Sequence, residues 1–381
     1  MSLSRREFLA ASAIPLVHAQ DRERTWRACV IGHTGKGNYG HDLDLSFRKI
    51  ARAKVVAVAD PDEKGRTDAV RRVGAERGYA DFREMLRAEK PDIVAICPRH
   101  VVQRLEMVTA AAEVGAHAFV EKPFATSLEE ADAMLAVAAK HGVKLAVSHS
   151  IRLHPSILHA KKAVDDGLIG DLLEVRTRGK EDHRAGGEDW MVHGPHVLSL
   201  MRLFAGEPLW CSGRVTVKGR DAAVQDRREA SEPVGPVAGD NLRAEYAFPG
   251  GRHGFHASQN AGAPVTERFQ VALYGTKGVI IIHISFDPTI VHLADPLWSA
   301  GKSGAAWKPL PGLPVVEPWK AEDAARRIAE DLMRSVETGA TSAVDGNEAI
   351  RTLEMVLAVY PSHLSGGRVT FPLKDRRHPL G

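Results

Sequence analysis

Cysteine is scarce in this chain, which contains Cys29, Cys97 and Cys211 among its 381 residues. Three cysteines give no disulfide framework, and the first two lie inside apolar runs that are typical of a buried core. An excess of one charge is also missing, because 51 Lys and Arg residues face 48 Asp and Glu residues. A nearly balanced chain lacks the basic field that binds nucleic acid, so we expect no nucleic-acid partner.

Long apolar runs are missing as well, and none approaches the roughly 20 residues that a membrane-spanning helix needs. The short apolar segment Phe8–Val17 follows Arg5-Arg6 in the order typical of a twin-arginine signal, with small residues near Ala19 for cleavage. Residues 1–19 are therefore predicted to be a signal peptide recognised by the twin-arginine export machinery. The alternative is a basic amphipathic N-terminal helix. The signal predicts a periplasmic or otherwise exported protein, without a membrane anchor after signal removal.

Short apolar runs rich in β-branched residues alternate with amphipathic stretches between residues 26 and 149. Val55–Ala59 and Ile93–Ile96 are two of the runs, and Leu128–Lys140 is one of the amphipathic stretches. Nearly continuous apolar strands separated by helices predict a parallel sheet covered on both faces. We therefore expect an α/β fold that begins with a doubly wound Rossmann sheet over residues 26–149.

The pattern changes after Ser150, where segments of alternating polarity are joined by turns such as Pro249–Gly251. This alternation predicts a large, mostly antiparallel open sheet with one face exposed to solvent or to a partner. Two helices within residues 321–364 are expected to close the chain. Residues 150–381 are thus predicted to form an α+β domain for substrate binding, and its open face makes a homo-oligomer plausible.

A glycine-rich turn, Gly32–Gly40, directly follows the first predicted strand. Glycine permits a tight turn and lets backbone N–H groups approach a pyrophosphate at the N-terminus of the next helix. The spacing of these glycines departs from the G-x-G-x-x-G pattern. The interpretation as a nucleotide site therefore rests on the position of the turn, directly after a strand. The predicted cofactor contacts in this turn are Gly32, Thr34, Gly35, Gly37 and Asn38.

The second predicted strand ends at Asp60. An acidic residue at this point accepts hydrogen bonds from the adenosine ribose hydroxyls and repels a 2′-phosphate. Asp60 therefore favours NAD over NADP, although Lys64 and Arg66 lie close enough in the sequence to leave the preference open.

The tripeptide Glu121-Lys122-Pro123 closes the apolar run Ala118–Val120. A lysine at the carboxyl end of a parallel strand points into the crevice where doubly wound sheets bind ligands, and the proline prevents helix continuation. Together with the glycine-rich turn, this tripeptide resembles the glucose-fructose oxidoreductase / inositol dehydrogenase (Gfo/Idh/MocA) family of NAD(P)-dependent enzymes. The resemblance covers nearly the whole chain after the predicted signal.

The resemblance implies further cofactor contacts. Pro98 and His100 fall in the loop that the family places against the nicotinamide ribose, and Arg152 matches the arginine of the family's Tyr-Arg or Phe-Arg pair. Glu121 and Lys122 match the family motif itself. These five residues complete the predicted cofactor site.

The family's glycine-rich substrate loop and Asp-x-x-x-His helix correspond to Gly186–His196. His196 matches the histidine, whereas Val192 occupies the position of the aspartate that takes part in proton transfer beside the lysine. His193 is the nearest titratable substitute. Further candidates for the missing carboxylate are Asp189 and Asp182.

Two other features of this segment have alternative interpretations. Trp190 could give a sugar face an apolar platform, or it could pack at the hinge between the domains. His193 and His196 lie at i and i+3 on one helix face and could bind a metal. No further ligand set stands out in the sequence, so no metal is expected.

These residues predict an NAD(P)-dependent oxidoreductase that acts on a CH–OH group of a sugar, cyclitol or sugar derivative. Lys122, partly desolvated beside the nicotinamide, would take the hydroxyl proton, and His196 would share that role or pass the proton to water. An exported enzyme has no soluble NAD pool, so the cofactor is expected to stay bound. Two alternatives remain open: an NAD-dependent glycoside hydrolase or lyase that oxidises its sugar transiently, and a non-catalytic sugar- or nucleotide-sensing module.

Overall fold

The computed structural model describes residues 24–262 and 266–381. The predicted signal at residues 1–19 lies outside the described residues. Across the described ranges, no helix is both long enough and apolar enough to cross a membrane. The chain forms two large sheets, and helices pack on both of them.

The first sheet is parallel and covered by helices. Its strands are β1 (Trp26–Ile31), β2 (Ala53–Ala59), β3 (Arg77–Tyr79), β4 (Ile93–Ile96), β5 (His117–Val120) and β6 (Leu145–Val147). The helices between them are α1 (Glu63–Val73), α2 (Phe82–Glu89), α3 (Arg104–Glu113) and α4 (Leu128–Lys140). The strand order is β3-β2-β1-β4-β5-β6, and it reverses between β1 and β4. The predicted doubly wound sheet is confirmed, and its ligand crevice lies at the carboxyl ends of these strands.

The α-helix expected after the glycine-rich turn is not formed. A single 3-10 turn, Leu43–Leu45, follows β1 instead. Asn38 and Asp42 adopt left-handed φ angles of 51° and 56°, which interrupt any run of right-handed helical residues. The expectation of a helix N-terminus at the pyrophosphate is therefore wrong, and only the backbone of the turn itself is available there.

The second sheet belongs to the C-terminal half of the chain. The strands of this half are β7 (Leu172–Arg178), β8 (Trp210–Val217), β9 (Arg220–Asp221), β10 (Arg228–Glu229), β11 (Pro236–Val237), β12 (Asn241–Ala247), β13 (His253–Gln259), β14 (Gln270–Gly275), β15 (Gly278–His283), β16 (Thr289–Leu293), β17 (Lys308–Pro309) and β18 (Val369–Thr370). The main sheet has the order β17-β16-β15-β14-β7-β13-β12-β8-β18, β9 pairs with β8, and β10 and β11 form a separate pair. Within it, β7 and β13 are parallel and the other described neighbours are antiparallel.

One face of the second sheet is packed and the other is open. Leu242 and Tyr246 on β12 are buried, whereas Arg243 between them is exposed. The helices of this half are α5 (Pro155–Asp165), α6 (Gly187–Val192), α7 (Gly194–Ala205), α8 (Ala321–Thr338) and α9 (Gly346–Ser365), and 3-10 turns cover Ser150–Leu153, Val224–Asp226, Pro249–Gly251 and Thr266–Arg268. Helix α9 packs on β8 and α7 packs on β7. The predicted mostly antiparallel open sheet is confirmed.

Helix α8 packs on the first sheet rather than on the second. Its Ile328 and Leu332 lie in one buried cluster with Phe47 and Phe119. At the surface, the Lys49 Nζ atom lies 2.7 Å from a carboxylate oxygen of Glu322 at the start of α8. A helix from near the end of the chain thus covers the face beside the 3-10 turn, where a helix after β1 would otherwise pack.

Candidate active site

A cavity of about 460 Å³ lies where the carboxyl ends of the first sheet's strands meet the second domain. The lining residues are His41, Glu121, Lys122, Ser148, Ser150, Ile151, Lys180, His193, His196, Thr266, Phe269, Ile284, Ser285, Phe286, Trp319 and Ala324. Four residues that the sequence singled out, Glu121, Lys122, His193 and His196, are therefore brought to one place. Glu121 and Lys122 follow the end of β5, His193 lies between α6 and α7, and His196 lies in the first turn of α7.

Lys122 follows β5 and has only 4% of its surface exposed. Its Nζ atom lies 3.4 Å from the carbonyl oxygen of Val192, which accepts a hydrogen bond from it. Burial lowers the pKa of Lys122 because the charged ammonium is desolvated, and the neighbouring charge of Glu121 opposes this shift only in part. A buried lysine with a lowered pKa is suited to accept a proton.

Glu121 pairs with a histidine that sequence reasoning missed. The Nδ1 atom of His41 lies 2.6 Å from Oε1 of Glu121, and His41 follows the last glycine of the glycine-rich turn. Burial alone would raise the pKa of Glu121, but the His41 hydrogen bond and the charge of Lys122 hold it below its usual value. The Oε2 atom of Glu121 is buried and has no hydrogen-bond partner among the described residues.

His193 forms a hydrogen-bonded pair with Asp189. The His193 Nδ1 atom lies 2.7 Å from Oδ1 of Asp189, which is fully buried and also accepts a hydrogen bond from the Ser258 hydroxyl. On the other side of the ring, Nε2 lies 3.2 Å from an Arg184 guanidinium nitrogen. Burial lowers the pKa of His193, while Asp189 opposes that change. This environment favours a neutral ring with its proton on Nδ1, facing the carboxylate.

His196 lines the same cavity and lies near a second buried pair. Its ring centroid is 6.4 Å from that of His149, whose Nδ1 atom is 2.7 Å from Oε2 of Glu348. Burial lowers the pKa of His196 well below its usual value, and the charge of Lys122 adds to the shift. His149 and Glu348 were also missed from the sequence, because Glu348 comes from α9, far along the chain.

Trp190, Arg152 and Asp182 are among the residues singled out in the sequence that lie away from the cavity lining. Trp190 is fully buried, donates its indole N–H to the Val356 carbonyl oxygen at 2.9 Å and packs on His256. The guanidinium of Arg152 donates to the Ser199 carbonyl oxygen at 2.7 Å. Asp182 pairs with Arg184. The burial of Trp190 is explained by packing between α6 and α9.

The glycine-rich turn borders a second cavity, of about 240 Å³, at the carboxyl ends of β1 and β2. The lining includes Gly32, His33, Lys36, Asp60 and Arg83. Within the turn, the Gly35 N–H donates to the Asn38 side chain at 2.9 Å.

The turn also packs closely on the loop after β4, which contains Pro98 and His100. A Cβ atom added to Gly37 would lie 2.4 Å from the backbone nitrogen of Arg99 and 2.6 Å from that of His100. Only glycine permits this approach. The close contact fixes the turn and the loop relative to each other at the ligand crevice.

Asp60 is fully buried and its carboxylate is bound by the chain itself. It accepts hydrogen bonds from the Thr34 backbone N–H and hydroxyl, from the Tyr39 hydroxyl at 2.8 Å and from the Asp62 N–H at 3.0 Å. In this arrangement Asp60 fastens the glycine-rich turn to the end of β2.

These features fit a dinucleotide. The crevice has cavities at both ends, the turn between them exposes backbone, and the unpartnered Glu121 Oε2 atom is an acceptor for a carboxamide N–H group. The residues that would hold the cofactor are the turn from Gly32 to Asn38, the Pro98–His100 loop and Glu121. Within residues 24–262 and 266–381, no group of three or more His, Cys, Asp and Glu side chains is placed to hold a metal ion.

Comparison with known proteins identifies related chains. The model of the GFO_IDH_MocA oxidoreductase family with an NAD-binding Rossmann fold matches residues 27–149, and that of its C-terminal alpha/beta domain matches residues 161–371. The D-apiose dehydrogenase of Paraburkholderia graminis is 28% identical over 356 residues, which cover 91% of this chain and 90% of the relative. The D-xylose 1-dehydrogenase (NADP(+)) 2 of Haloferax volcanii is 28% identical over 355 residues, 89% of this chain and 99% of the relative. Among solved structures, levoglucosan dehydrogenase in complex with NADH and levoglucosan shares the fold, with a TM-score of 0.72, 19% identity and coverage of 91% of this chain and 100% of that chain.

Proposed function

Because the chain belongs to the Gfo/Idh/MocA oxidoreductase family, we propose that it oxidises a CH–OH group of a sugar or cyclitol with NAD as the hydride acceptor. The observation that carries this proposal is the buried Lys122, which shares one cavity with Glu121, His193 and His196. A base with a lowered pKa and two histidines surround a space large enough for a monosaccharide beside a nicotinamide.

The chemistry divides between cofactor and chain. When bound, oxidised nicotinamide accepts the hydride from the C–H bond of the substrate. Lys122 accepts the proton of the hydroxyl on the same carbon, so that a C–H and an O–H bond break and a C=O bond forms. His193, whose proton Asp189 holds on Nδ1, can accept a hydrogen bond from a neighbouring sugar hydroxyl through Nε2, in place of the Arg184 guanidinium. His196 returns the proton from Lys122 to solvent.

The cavity walls support a sugar as the substrate. Trp319, Phe269 and Phe286 provide apolar surface for the C–H face of a ring, and the hydroxyls of Ser148 and Ser285 can bond sugar hydroxyls. The relatives named for D-apiose, D-xylose and levoglucosan act on carbohydrates, as their names state.

NAD is the proposed cofactor in preference to NADP. The negative charge of Asp60 lies at the end of β2, where a 2′-phosphate would approach, and it disfavours NADP even though its oxygens are bound by the chain. Lys36 and Arg83 border the same cavity and weaken this preference.

The experiment is a sugar panel mixed with the NAD-loaded protein while nicotinamide absorbance and glycosidic cleavage are both measured. Net reduction of NAD that falls about 100- to 10,000-fold in Lys122→Met, with NAD still bound, is the expected result. The exposed Lys374→Met variant is the matched control. Cleavage without net reduction would replace the proposal by a redox-neutral hydrolase or lyase, and sugar binding without either signal would indicate a sensor.

We also propose that the protein is exported through the twin-arginine route, on the strength of Arg5-Arg6 and the apolar segment that follows. Replacing both arginines by lysine should retain the protein in the cytoplasm. Undiminished export of that variant in cell fractionation would contradict this proposal and leave the catalytic one untouched.

A further inference from the structure

The active-site cavity carries more positive than negative side chains. Lys122 and Lys180 are its two lysines, and Glu121 is the single carboxylate among the described residues of its lining. Glu121 is already hydrogen-bonded to His41 and lies beside Lys122, the lysine that follows it in the chain. The positive charge of Lys180 is therefore not neutralised by any carboxylate of the described cavity lining.

Lys180 has no ion-pair partner within the described part of the chain, although acidic residues surround it in the sequence. Glu181 is bound by Arg178 and by the Gln259 N–H at 2.9 Å. Asp182 is bound by Arg184. Each neighbouring carboxylate is thus taken by an arginine, and the ammonium of Lys180 remains available to a ligand.

The backbone holds Lys180 in a fixed relation to the catalytic residues. Its N–H donates to Oδ1 of Asp189 at 3.1 Å, and the same oxygen binds His193. This bond fixes the backbone from which the Lys180 side chain extends, so a ligand group bound by its ammonium would lie in the cavity that His193 also lines. Such positioning is the means by which a remote contact increases the rate of a reaction.

We propose that the substrate is a sugar acid, a uronate or an aldonate, whose carboxylate pairs with Lys180. The proposal rests on the proposed dehydrogenase function and names the substrate class of that same site. The carboxylate is unchanged in the reaction: hydride leaves a ring or chain carbon for NAD, and the proton of its hydroxyl goes to Lys122. One half-buried ammonium is a single point charge that suits one carboxylate, and the described lining of the cavity adds no arginine that would bind a phosphate dianion bidentately.

The test compares neutral sugars with their acids in matched pairs: glucose with glucuronate and gluconate, and galactose with galacturonate. In the NAD-loaded protein, at least one acid should show a kcat/KM about 10-fold or more above that of its neutral partner. Lys180→Met should raise the KM for that acid by about 10- to 100-fold, the effect of losing one charge-assisted hydrogen bond. Lys180→Arg should restore most of the affinity, and the preference should weaken at high salt.

The exposed Lys302→Met variant is the control for loss of one positive charge. A preference for neutral sugars that Lys180→Met leaves unchanged would overturn the proposal while retaining the dehydrogenase function. Selection for sugar phosphates over acids would also overturn it. Absence of NAD reduction with every sugar and acid would instead reject the dehydrogenase function itself.

Discussion

The Nδ1 atom of His193 lies 2.7 Å from the Oδ1 atom of Asp189, four residues earlier in the chain. The family pattern places an aspartate at the position of Val192, four residues before His196. The carboxylate–histidine pair of this chain has the same spacing but lies three residues upstream. The chain has Val192 at the position of the family's aspartate, and its carboxylate–histidine pair, Asp189 with His193, lies almost one helical turn away.

We predict that Asp189→Asn lowers kcat by about 10- to 100-fold while NAD binding is retained, because the amide no longer holds the His193 proton on Nδ1. His193→Ala should have an effect of similar size. The double variant should be little worse than either single variant, since the two residues act as one unit. Steady-state kinetics and nucleotide titration provide the measurement.

Asp166→Asn is the control, because Asp166 is an exposed aspartate whose partner, Lys162, is also exposed. A wild-type kcat in Asp189→Asn would show that the Asp189–His193 pair stabilises the fold and does not take part in catalysis. Additive losses in the double variant would show that the two side chains act separately.

The hydrogen bonds around Asp60 lead to a second prediction. The Tyr39 hydroxyl donates to Asp60 and helps to hold the glycine-rich turn. Tyr39→Phe should therefore weaken the binding of NAD and of NADP to a similar extent, by about 5-fold, the order of one hydrogen bond. Tyr79 lies on the edge strand β3, and its hydroxyl donates to Glu89 at the end of α2. Tyr79→Phe removes this comparable hydroxyl and should leave both affinities unchanged.

Calorimetric dissociation constants would decide between two roles of Asp60. If Asp60 acts only by binding the ribose, Tyr39→Phe frees a carboxylate oxygen and NAD binds as well as before or more tightly. That result would favour the interpretation made from the sequence. Equal weakening of both nucleotides would assign Asp60 to holding the turn.

The fold was predictable where local pattern decides it. Apolar runs such as Ile93–Ile96 predicted buried parallel strands, and the alternation in Asn241–Ala247 predicted a half-open sheet. The α-helix after β1 was predicted wrongly because the left-handed φ angles of Asn38 and Asp42 leave no periodic signal. The amphipathic pattern of α8 predicted a buried face, but not that the face packs on the first sheet.

The candidate site was predictable where its residues belong to a recognisable sequence motif. Glu121-Lys122-Pro123 predicted a ligand-facing lysine, and the prediction of an NAD(P)-dependent oxidoreductase acting on CH–OH groups is confirmed by the family match and the named relatives. His41, Lys180 and Trp319 reach the cavity from separate segments, and only the tertiary fold brings them together. Asp189 and Asp182 were the two further candidates for the carboxylate that is missing at Val192. The hydrogen bond of Asp189 to His193 distinguishes it from Asp182.

Arg104 leads to a third prediction. This residue has only 1% of its surface exposed, and its guanidinium donates to the carbonyl oxygens of Pro98 and Pro123. It therefore connects the loop after β4 to the segment that carries Lys122. Burial lowers its pKa to about 10, although the charges of Glu121 and Glu130 oppose this shift.

Arg104→Met leaves those buried carbonyl groups without donors, so we expect the free energy of unfolding to fall by about 1–3 kcal/mol. NAD affinity should fall as well, because the two loops lose their common anchor. Urea denaturation and nucleotide titration are the measurements, and the exposed Arg87→Met variant is the control. Unchanged stability together with unchanged NAD affinity would show that the loops hold their positions without Arg104.

The last prediction concerns Glu348, which is buried and hydrogen-bonded to His149, the histidine whose ring lies near that of His196. Its carboxylate binds His149, the Ser199 hydroxyl at 2.7 Å and the Arg202 guanidinium at 3.1 Å. Burial alone would raise the pKa of Glu348, but the charge and hydrogen bond of His149, with the nearby arginines, lower it from 4.5 to about 2.

A carboxyl group with a lowered pKa stabilises the folded state at pH values above its unfolded pKa. That stabilisation is lost as the pH falls from about 4.5 to about 2, and it amounts to about 3 kcal/mol at neutral pH. Glu348→Gln should therefore lower the free energy of unfolding by about this amount at pH 7, and the difference from the wild type should shrink as the pH falls below about 4.5. Urea denaturation at a series of pH values measures it, with the exposed Glu113→Gln variant as the control. A difference between Glu348→Gln and the wild type that stays constant down to pH 3 would mean that the charge of Glu348 does not stabilise the fold.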